Sequence, residues 1–555
     1  MLLRSKEDID RHLNAKLQHE NEVVLDLETT GLWAWRGDQI LSVSLYLPSY
    51  KESYTIIVGH GGSLFSAEPS NLEWVAWDEV NQCRVIMHNA KFDMSFLEAA
   101  GATIDWGRVF DTLTGQFLLH NLSESFALKK LTSDLEPTSE EWLRYAPEGL
   151  DLGLARETMS SRANLASVAE DALVAYAETD VVLTYILYMR QRAENEQSER
   201  AYSPLSFMGR EMLLTRSVMN IEKRGLQFAW PKHYDIKSSM ERDLIAMRQD
   251  FVFDPMSSNA LRNVFGTDTY DKETLSAIGG ELGRQVIAYR ELQHDYSSFV
   301  VKLASFVSDD GFLHPNLRQN GTNTGRFTSS NPNVLGLPKK MRTQFTPPEG
   351  REYVCMDLTQ IELAMCAWYS GCVPMLEAFE QKLDIHQATA DLVGVERQIG
   401  KRLNFSMVYG VGAETMSKRL GVDQAQAMRW IKGFRQAYPE LVASKVRCES
   451  AARRNGELKL WNGQVREVPE VHKAWSYLIQ SAVAELAKDI LIDLDQLMAE
   501  VGGSVVLHVH DEFVIEVDKG DEETKARAKA VVVSAGPDGL HYSTDSEPWY
   551  QGGGE

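Results

Sequence analysis

Strand-like and helix-like stretches of apolar residues alternate along the first part of the chain, up to about residue 195. VVLDL at 23–27 and CRVIM at 83–87 are short apolar runs that predict buried strands. The stretch 89–101 predicts a helix that begins at Asn89 and ends at Gly101, and the pattern from about 160 to 195 is again helical. This alternation predicts an α/β domain over residues 1–195, and the charged stretch 191–200, followed by Pro204, predicts a linker.

The remainder of the chain, residues 196–555, has a different order of elements. A mostly helical segment at about 205–305 is followed by a loop rich in Asn, Thr, Gly and Pro at 316–338, a strand, a long helical section at 373–455 and a hairpin-like segment at 504–517. In that last segment Phe513, Ile515 and Val517 alternate with the residues between them, which predicts a half-buried strand with Asp511 exposed at the hairpin tip. A chain of 555 residues is too long for one ordinary core, so we expect at least two domains.

Composition argues against several classes of protein. The hydrophobic and charged fractions, 44% and 25%, are those of a soluble globular protein. No run approaches the roughly 20 apolar residues of a membrane span, and the N-terminus lacks the apolar core of a signal peptide. Five scattered cysteines fit reduced thiols, so we expect a cytoplasmic protein with no membrane partner.

The net charge of −22 counts against a nucleic-acid partner, because phosphate binding needs Lys and Arg. Basic residues do cluster locally, at 339–342, 397–402, 418–419 and 453–454. Such clusters are more often solvated faces than binding sites, but binding depends on the field of a cleft rather than on total charge. Affinity for DNA must therefore come from a local basic cleft and must fall steeply as salt rises.

A first carboxylate centre is predicted in the α/β part. Asp26 and Glu28 are two apart on a predicted strand, so both side chains lie on one face and repel each other unless a cation binds. A solvated strand edge is the alternative for so short a motif. Asp93 lies on the helix that follows the second strand, and Tyr176 and Asp180 share a helix face.

The segments DLET (26–29), HNAKFD (88–93) and YAETD (176–180), with FALKKL (126–131) between the last two, resemble the motifs of the proofreading 3′–5′ exonucleases that use four acids and a tyrosine. The resemblance covers about 25–190 and implies a ribonuclease H-like mixed sheet. It also implies two divalent cations, Mg²⁺ or Mn²⁺, held by Asp26, Glu28, Asp93 and Asp180. Tyr176 would orient the attacking water, with a core aromatic as the alternative.

A second carboxylate centre is predicted from Asp357, at the end of a strand, and Asp511, at the hairpin tip. One Asp on each of two strands suits a two-metal phosphoryl-transfer site, although two unrelated turn aspartates would look the same.

The stretch 397–409, between these acids, predicts a helix with one distinctive side. Arg397, Lys401, Phe405 and Tyr409 recur every four residues, so all four share that side, which is cationic at its start and aromatic at its end. A positive end suits a triphosphate, and an aromatic end suits a base or a sugar. An amphipathic helix whose aromatic residues enter the core is the alternative.

Together these segments resemble the family A DNA polymerases, the bacterial polymerase I group and its phage relatives. TNTGRFTSSNPN (322–333) is similar to the primer-template segment of that family, DLTQIE (357–362) to its motif A, RQIGKRLNFSMVYG (397–410) to its motif B and VHDE (509–512) to its motif C, with DIHQATA (384–390) before motif B. The resemblance runs over about 205–520. It implies an α+β right-hand polymerase domain at 196–555, with the thumb at about 205–305, the palm at about 306–372 and 456–555, and the fingers at about 373–455.

The same resemblance implies a role for each matching residue. Asp357 and Asp511 would hold two Mg²⁺ ions, with Glu512 nearby, and Lys401 would contact the triphosphate and act as general acid. The other residues implied to bind the incoming dNTP are Gln360, Glu362, His386, Arg397, Phe405 and Tyr409, of which Glu362 would exclude the ribose 2′-hydroxyl. The residues implied to contact primer-template DNA are Thr324, Arg326, Asn333, Lys340, Gln480 and His510.

Some positions depart from the family pattern. His472 and Ser476 stand where many members have Arg and Asn, so their roles stay open, and Lys340 stands where an Arg usually reaches the minor groove. Exonuclease motifs that begin at residue 26 and a short helical segment at 205–305 favour a compact phage replicative polymerase. Its replisome partners, such as a helicase or a single-strand binding protein, are not identifiable from the sequence.

Three other interpretations stay open. A nuclease with a C-terminal binding module and a non-catalytic scaffold are disfavoured by the two complete acid sets, and primer extension with Mg²⁺ and dNTPs tests both. A related RNA polymerase is a closer rival. Glu362 and the exonuclease motifs favour DNA, and a ribonucleotide assay decides between the two.

Overall fold

Residues 1–58, 71–153, 169–198 and 203–549 are described by the computed structural model. Three hydrophobic clusters organise them: a first cluster from residues 3–219, a second from 214–549 and a smaller third from 244–289. The first two clusters meet along the helix Met208–Arg224. Met212 and Met219 of this helix belong to the first cluster, whereas Val218 and Ile221 belong to the second.

A six-stranded mixed sheet forms the centre of the first part. Its strands are β1 (Leu2–Leu3), β2 (Glu22–Thr29), β3 (Ile40–Leu47), β4 (Glu52–Ile57), β5 (Arg84–Met87) and β6 (Val109–Asp111). They are arranged in the order β1-β4-β3-β2-β5-β6. Strands β2, β3 and β4 pair antiparallel, whereas β5 pairs parallel with both β2 and β6. The strands predicted at 23–27 and 83–87 are confirmed as β2 and β5.

Helices cover this sheet. They are α1 (Ala90–Ala99), α2 (Thr112–Leu119), α3 (Leu128–Leu131), α4 (Glu140–Tyr145) and α5 (Glu170–Gln197), preceded by short helical segments between Lys6 and Leu17 and at Trp77–Val80. The helix predicted at 89–101 is α1, and Asn89 precedes it with a left-handed φ of 66°.

The linker predicted at 191–200 is wrong over its first part, because residues 191–197 form the last two turns of α5. The charged side chains there are held by acids on neighbouring elements rather than by solvent alone. Arg190, just before this stretch, bonds to Asp134 and Glu141, and Arg192 lies 3.4 Å from Glu22. Residues 199–202 lie outside the described residues.

Helix α5 also departs from the expectation that no run reaches membrane length. A window of 18 residues in it has a mean hydropathy of 1.3, which satisfies the length and composition of a membrane span. However, 72% of that window is buried inside the protein, where α5 packs on β2, β3 and β4. Such burial is typical of the core helix of a globular domain.

The second part begins with helices, as predicted for 205–305. They are α6 (Met208–Arg224), α7 (Trp230–Gln249), α8 (Ser258–Phe265), α9 (Lys272–Ile278) and α10 (Gly280–Asp295), followed by a π-helical turn at Tyr296–Lys302. Four short strands form two antiparallel pairs: β7 (Leu226–Gln227), which lies between α6 and α7, pairs with β8 (Phe312–Leu313), and β9 (Leu317–Arg318) pairs with β10 (Thr328–Ser329).

A four-stranded antiparallel sheet lies at the centre of the second cluster. It contains β11 (Arg351–Thr359), β14 (Ser504–Val509), β15 (Glu512–Asp518) and β16 (Ser543–Pro548), in the order β14-β15-β11-β16, and a separate ribbon pairs β12 (Glu457–Lys459) with β13 (Val465–Glu467). The predicted hairpin is confirmed as β14 and β15. The prediction of a half-buried strand is wrong, because β15 lies between two strands and its Glu516 is only 1% exposed, paired with Arg224 and Arg351.

Helices pack around this sheet and extend beyond it. They are α11 (Ile361–Ser370), α12 (Val373–Glu380), α13 (Ile385–Val393), α14 (Arg397–Tyr409), α15 (Ala413–Leu420), α16 (Gln424–Ala437), α17 (Pro439–Asn455), α18 (Ala474–Val501) and α19 (Glu522–Ser534). Helix α18 is buried along most of its length, and α14 packs between α13 and α18.

Candidate active sites: two carboxylate centres

Three carboxylates converge on the face of the first sheet that α5 approaches. Strand β2 supplies Asp26 and Glu28, whose alternation places both on one face, and α5 supplies Asp180. One oxygen of each carboxylate lies within 4.8 Å of the others. Across the described ranges, these are the carboxylates that come together closely enough as a set of three to hold a metal ion.

The protonation of these acids reflects their crowding. Burial, and then the charge of Asp180, raise the pKa of Asp26 to about 8. Burial and the neighbouring charges of Asp26 and Asp180 likewise raise the pKa of Glu28 well above its usual value. Buried like charges of this kind are stable in the ionised form only beside cations, so the donor set fits a divalent metal.

Asp93 lies next to this set but outside it. It sits on α1 and its Oδ1 accepts a hydrogen bond of 3.0 Å from the backbone N–H of Leu27, which ties α1 to β2. Within the described residues, its buried Oδ2 has no hydrogen-bond partner. A buried carboxylate oxygen without a hydrogen-bond donor is available to ligate a cation.

Tyr176 lies one helical turn before Asp180 on α5, as the spacing predicted, and it lowers the pKa of Asp180 against the larger effect of burial. Burial raises the pKa of Tyr176. Lys129 also belongs to this site, although no role was predicted for it. Its Nζ lies 2.5 Å from both carboxylate oxygens of Asp180 and 3.8 Å from the centre of the Tyr176 ring.

A cleft of about 780 Å³ opens beside this centre. Its lining includes His88, Asn89, Lys91 and Phe92, residues 124–128, and residues 314–323, which lead into the predicted primer-template segment at 322–333. The cleft therefore lies between the two parts of the chain, and it reaches Phe92 and Leu128, the chain neighbours of Asp93 and Lys129.

The second centre is built where β11 meets the hairpin tip. Asp357 pairs in register with Glu512, and the backbone N–H of Leu358 donates a bond of 2.9 Å to the carbonyl oxygen of Asp511. Asp511 is half-buried rather than exposed, because the tip at His510 folds back with a φ of 58° against β11. Asp357 itself remains exposed, and desolvation by the surrounding protein, together with the charges of Asp511 and Glu512, raises its pKa to about 7.

Glu512 is already fully engaged by neighbouring side chains. Arg342 donates two hydrogen bonds to it, of 2.6 and 2.7 Å, and the Cys355 thiol donates to it as well. Arg342 and Cys355 were not predicted as site residues. Glu512 therefore anchors the strand pair that carries Asp357, and its carboxylate is not free in the cleft.

The four residues predicted to share one side of α14 do so. Phe405 is 37% exposed and Tyr409 is 45% exposed, while Leu403 and Asn404 face the core. The alternative in which the aromatic residues enter the core is therefore wrong. Arg397, at the start of this side, bonds to Asp384 at 2.6 Å.

Three predicted residues form a connected group at the other end of α14. The Tyr409 hydroxyl donates a bond of 2.6 Å to Glu362, and Arg326 pairs with the same carboxylate. Glu362 stands on α11, directly after the strand that carries Asp357, and Gln360 precedes α11 with a left-handed φ of 56°. This contact connects α14 to the second centre.

His386 differs from its predicted role at the surface of the dNTP site. It is 3% exposed, its Nδ1 lies 3.0 Å from the amide nitrogen of Asn404, and its ring lies 5.9 Å from that of Phe405. In this structure His386 supports Phe405 from behind.

The predicted DNA contacts are less concentrated. Lys340 pairs with Asp295 at 2.9 Å, Asn333 accepts a bond from Ser329, and Thr324 and Gln480 are buried or half-buried. His472 and Ser476, whose roles stayed open, differ from each other. His472 is exposed, whereas the Ser476 hydroxyl bonds to the carbonyl oxygen of Lys473 in the turn before its own helix.

Residues 248–535 match the profile of DNA polymerase family A, which is more than half of the chain. The chain belongs to DNA polymerase family A. It is 24% identical over 486 residues to DNA polymerase I of Treponema pallidum, covering 78% of this chain and 47% of that protein. It is 30% identical over 282 residues to the thermostable DNA polymerase I of Thermus aquaticus, covering 46% and 34%. The chain thus spans about a third to a half of the length of these two relatives.

Other matches cover more of both chains. DNA polymerase I of Aquifex aeolicus is 26% identical over 516 residues, which is 82% of this chain and 85% of that protein. A solved structure, the POL domain of Pol1 from M. smegmatis in complex with DNA primer-template and dNTP, matches with a TM-score of 0.78 over 97% of both chains at 19% identity. That match shows a shared fold.

Proposed function

We propose that this chain is a DNA-directed DNA polymerase that adds dNTPs to a primer 3′ end at the centre of Asp357 and Asp511. The observation that carries the proposal is the exposed cationic-to-aromatic side of α14, which the Tyr409–Glu362 bond connects to that centre. Membership of the polymerase family and the fold shared with a primer-template complex support it.

The residues of the centre divide the work by their chemistry. Arg397 and Lys401 bind the triphosphate, and Lys401 gives a proton to the leaving pyrophosphate. Phe405 and Tyr409 pack against the sugar and base of the incoming nucleotide and the template step. Mg²⁺ ions held by Asp357 and Asp511 would supply the charge neutralisation that phosphoryl transfer requires.

Glu362 would select deoxyribose. Its carboxylate is fixed by Tyr409 on one side and by Arg326 on the other, so it forms a rigid wall rather than a mobile group. A ribose 2′-hydroxyl would meet this wall, which disfavours the RNA polymerase interpretation. Incorporation of ribonucleotides as efficiently as dNTPs by the wild-type protein would restore that interpretation.

Primer extension tests the synthetic centre. Asp357→Asn should abolish extension of a matched primer with Mg²⁺ and dNTPs, whereas Asp518→Asn should not. Asp518 lies at the far end of the same hairpin, and its side chain is 72% exposed, so this control removes the same charge away from the cleft. Extension by Asp357→Asn would contradict the assignment and favour a C-terminal binding module.

We further propose that Asp26, Glu28, Asp93 and Asp180 form a 3′–5′ exonuclease centre for proofreading, on a ribonuclease H-like domain at about 1–195. The convergence of three acids and the unpartnered Oδ2 of Asp93 support two divalent cations there, Mg²⁺ or Mn²⁺. Tyr176 orients the attacking water, and the adjacent cleft accommodates the unpaired 3′ end of the primer.

A labelled single strand tests the exonuclease centre. Asp26→Ala with Glu28→Ala should abolish shortening from the 3′ end, whereas Glu22→Gln on the same strand should not. Glu22 lies at the start of β2 and pairs with Arg192 instead. Unchanged shortening by the double variant would refute the assignment.

The right-hand division into thumb (about 205–305), palm (about 306–372 and 456–555) and fingers (about 373–455) belongs to the same proposal. So do a role in phage replication, with primer-template DNA as substrate, and a cytoplasmic location in the host. Thr324, Arg326, Asn333, Lys340, Gln480 and His510 are the proposed DNA contacts.

A further inference from the structure

Lys129 contacts Asp180, one of the three acids of the first carboxylate centre. Its ammonium lies 2.5 Å from both oxygens of Asp180, and its side chain is 25% exposed, against 11% for Asp180. Asp180 also belongs to the set of three acids whose oxygens lie within 4.8 Å of each other. The geometry points to Lys129 as the resident counter-ion of this acid set, which a divalent cation must displace in order to bind. This inference rests on the proposed exonuclease centre.

The charge balance of the site supports this role. Asp26, Glu28 and Asp180 face one another, with Asp93 beside Asp26, and Lys129 is the cation that acts on the set. The ammonium lowers the pKa of Asp180, Asp26 and Glu28, against the larger effect of burial. Lys129 thus offsets part of the mutual repulsion of these carboxylates.

A metal ion and the ammonium compete for Asp180 in the observed geometry. Mg²⁺ and Mn²⁺ ligate carboxylate oxygens at about 2.0–2.2 Å, and Lys129 already contacts both oxygens of Asp180. Two cations on one carboxylate would lie within a few ångströms of each other and repel strongly in a partly buried site.

Lys129 is held by its contacts with Asp180 and with the ring of Tyr176. It stands on α3, which has only four residues, and its ammonium rests on the face of the Tyr176 ring. Cation–π contacts of this kind are weaker than an ion pair with a metal. Displacement of Lys129 would therefore also uncover Tyr176, which we propose orients the attacking water.

Binding of Mn²⁺, followed by electron paramagnetic resonance, tests the inference directly. The full-length chain with Asp357→Asn and Asp511→Asn provides a background in which the polymerase centre does not compete for the ion. In this background, Lys129→Gln should bind Mn²⁺ about tenfold more tightly, the effect of removing one partly screened positive charge from the site. Lys129→Arg, which keeps the charge, should stay within about threefold of the background affinity.

Lys130→Gln is the matched control. It removes the same charge from the next residue of α3, whose side chain is exposed, and should leave the affinity unchanged. Thermal unfolding gives a second readout: Lys129→Gln should unfold at a lower temperature in EDTA, and Mn²⁺ should stabilise it by more than it stabilises the background protein.

The possible outcomes distinguish the role of Lys129 from the existence of the metal centre. Equal or weaker Mn²⁺ binding by Lys129→Gln, with binding still abolished by Asp26→Ala and Glu28→Ala, would overturn the role of Lys129 and leave the metal centre intact. Mn²⁺ binding that survives Asp26→Ala with Glu28→Ala would overturn the exonuclease metal centre and the inference with it. If Lys129→Gln does not fold, Lys129→Met provides the same test of charge removal.

Discussion

The ion pair between Arg342 and Glu512 should contribute strongly to the stability of the synthetic centre. Two bonds of 2.6 and 2.7 Å join them, and their side chains are 7% and 14% exposed. Removing one partner of such a pair leaves a buried charge without compensation, which costs about 3–5 kcal/mol. Arg342→Met should fall in the upper half of that range, because the abandoned Glu512 charge lies beside Asp357.

Removing both charges should restore most of that loss. Arg342→Met with Glu512→Met replaces the pair by apolar side chains, and such replacements of buried ion pairs are often close to neutral. We therefore expect the double variant to be less destabilised than Arg342→Met alone, by about 2 kcal/mol or more. As a control, Lys418→Met removes one partner of the surface pair Lys418–Glu414, whose side chains are 75% and 72% exposed, and should cost less than about 1 kcal/mol.

Hydrogen exchange is the suitable assay because the chain has more than one hydrophobic cluster, so one global unfolding midpoint would mix their contributions. The free energy of opening is measured for the amides of β11 and β15, where Asp357 and Glu512 pair in register. A loss below about 1 kcal/mol in Arg342→Met, or a double variant as unstable as the sum of the two single variants, would refute this account of Glu512 as an anchor.

Three further predictions concern the same centre. Phe405→Tyr should increase the incorporation of dideoxynucleotides, since the family resemblance links Phe at this position to their rejection; efficient dideoxy termination by the wild-type protein would contradict the placement of Phe405. Asp384→Asn keeps a hydrogen-bond acceptor at the start of α13 but frees Arg397 from a half-exposed ion pair worth up to about 1 kcal/mol. KM for dNTPs should therefore fall by up to about fivefold with kcat unchanged. A higher KM would count against the role of Arg397 in triphosphate binding. Because the pKa of Asp357 is raised to about 7, this carboxylate must lose a proton to bind metal below that pH. The Mg²⁺ concentration for half-maximal extension should therefore fall about tenfold for each unit that the pH rises toward 7, and it should level off above 7. A pH-independent Mg²⁺ requirement would contradict the raised pKa.

Local periodicity predicted the parts of the sites that depend on neighbours along the chain. The two-residue repeat of a strand placed Asp26 and Glu28 on one face, and the helical repeat placed Phe405 and Tyr409 on one side of α14. These relations hold in any fold that preserves the strand or the helix, so the sequence is sufficient to predict them.

Contacts between distant segments leave no periodic pattern in the sequence. Lys129 and Asp180 are separated by 51 positions and Arg342 and Glu512 by 170, and no periodicity connects them. The sequence therefore predicted the acids of each centre but missed the cations that neutralise them. Lys129 stands inside the segment FALKKL (126–131) and Arg342 inside the basic cluster at 339–342, so an unexplained Lys or Arg was the available clue in each case.

Burial by tertiary partners explains the remaining differences. The alternation of apolar residues at 513–517 predicts that the residues between them face solvent, but Glu516, which is one of these, is neutralised by Arg224 and Arg351 inside the sheet. His386 was placed at the nucleotide surface by resemblance, and the packing of Phe405 and Asn404 covers it. In both cases the partner, rather than the residue's own polarity, determines its exposure.

The central claim is that one chain carries two independent carboxylate centres with opposite effects on a primer. A 5′-labelled primer with a mismatched 3′ end, annealed to template and incubated with Mg²⁺ and dNTPs, reports both effects in one experiment. The wild-type protein should first shorten and then extend it, Asp357→Asn should only shorten it, and Asp26→Ala with Glu28→Ala should leave the mismatched end unshortened while still extending a matched primer. Extension by Asp357→Asn, or shortening by the double variant, would contradict the account.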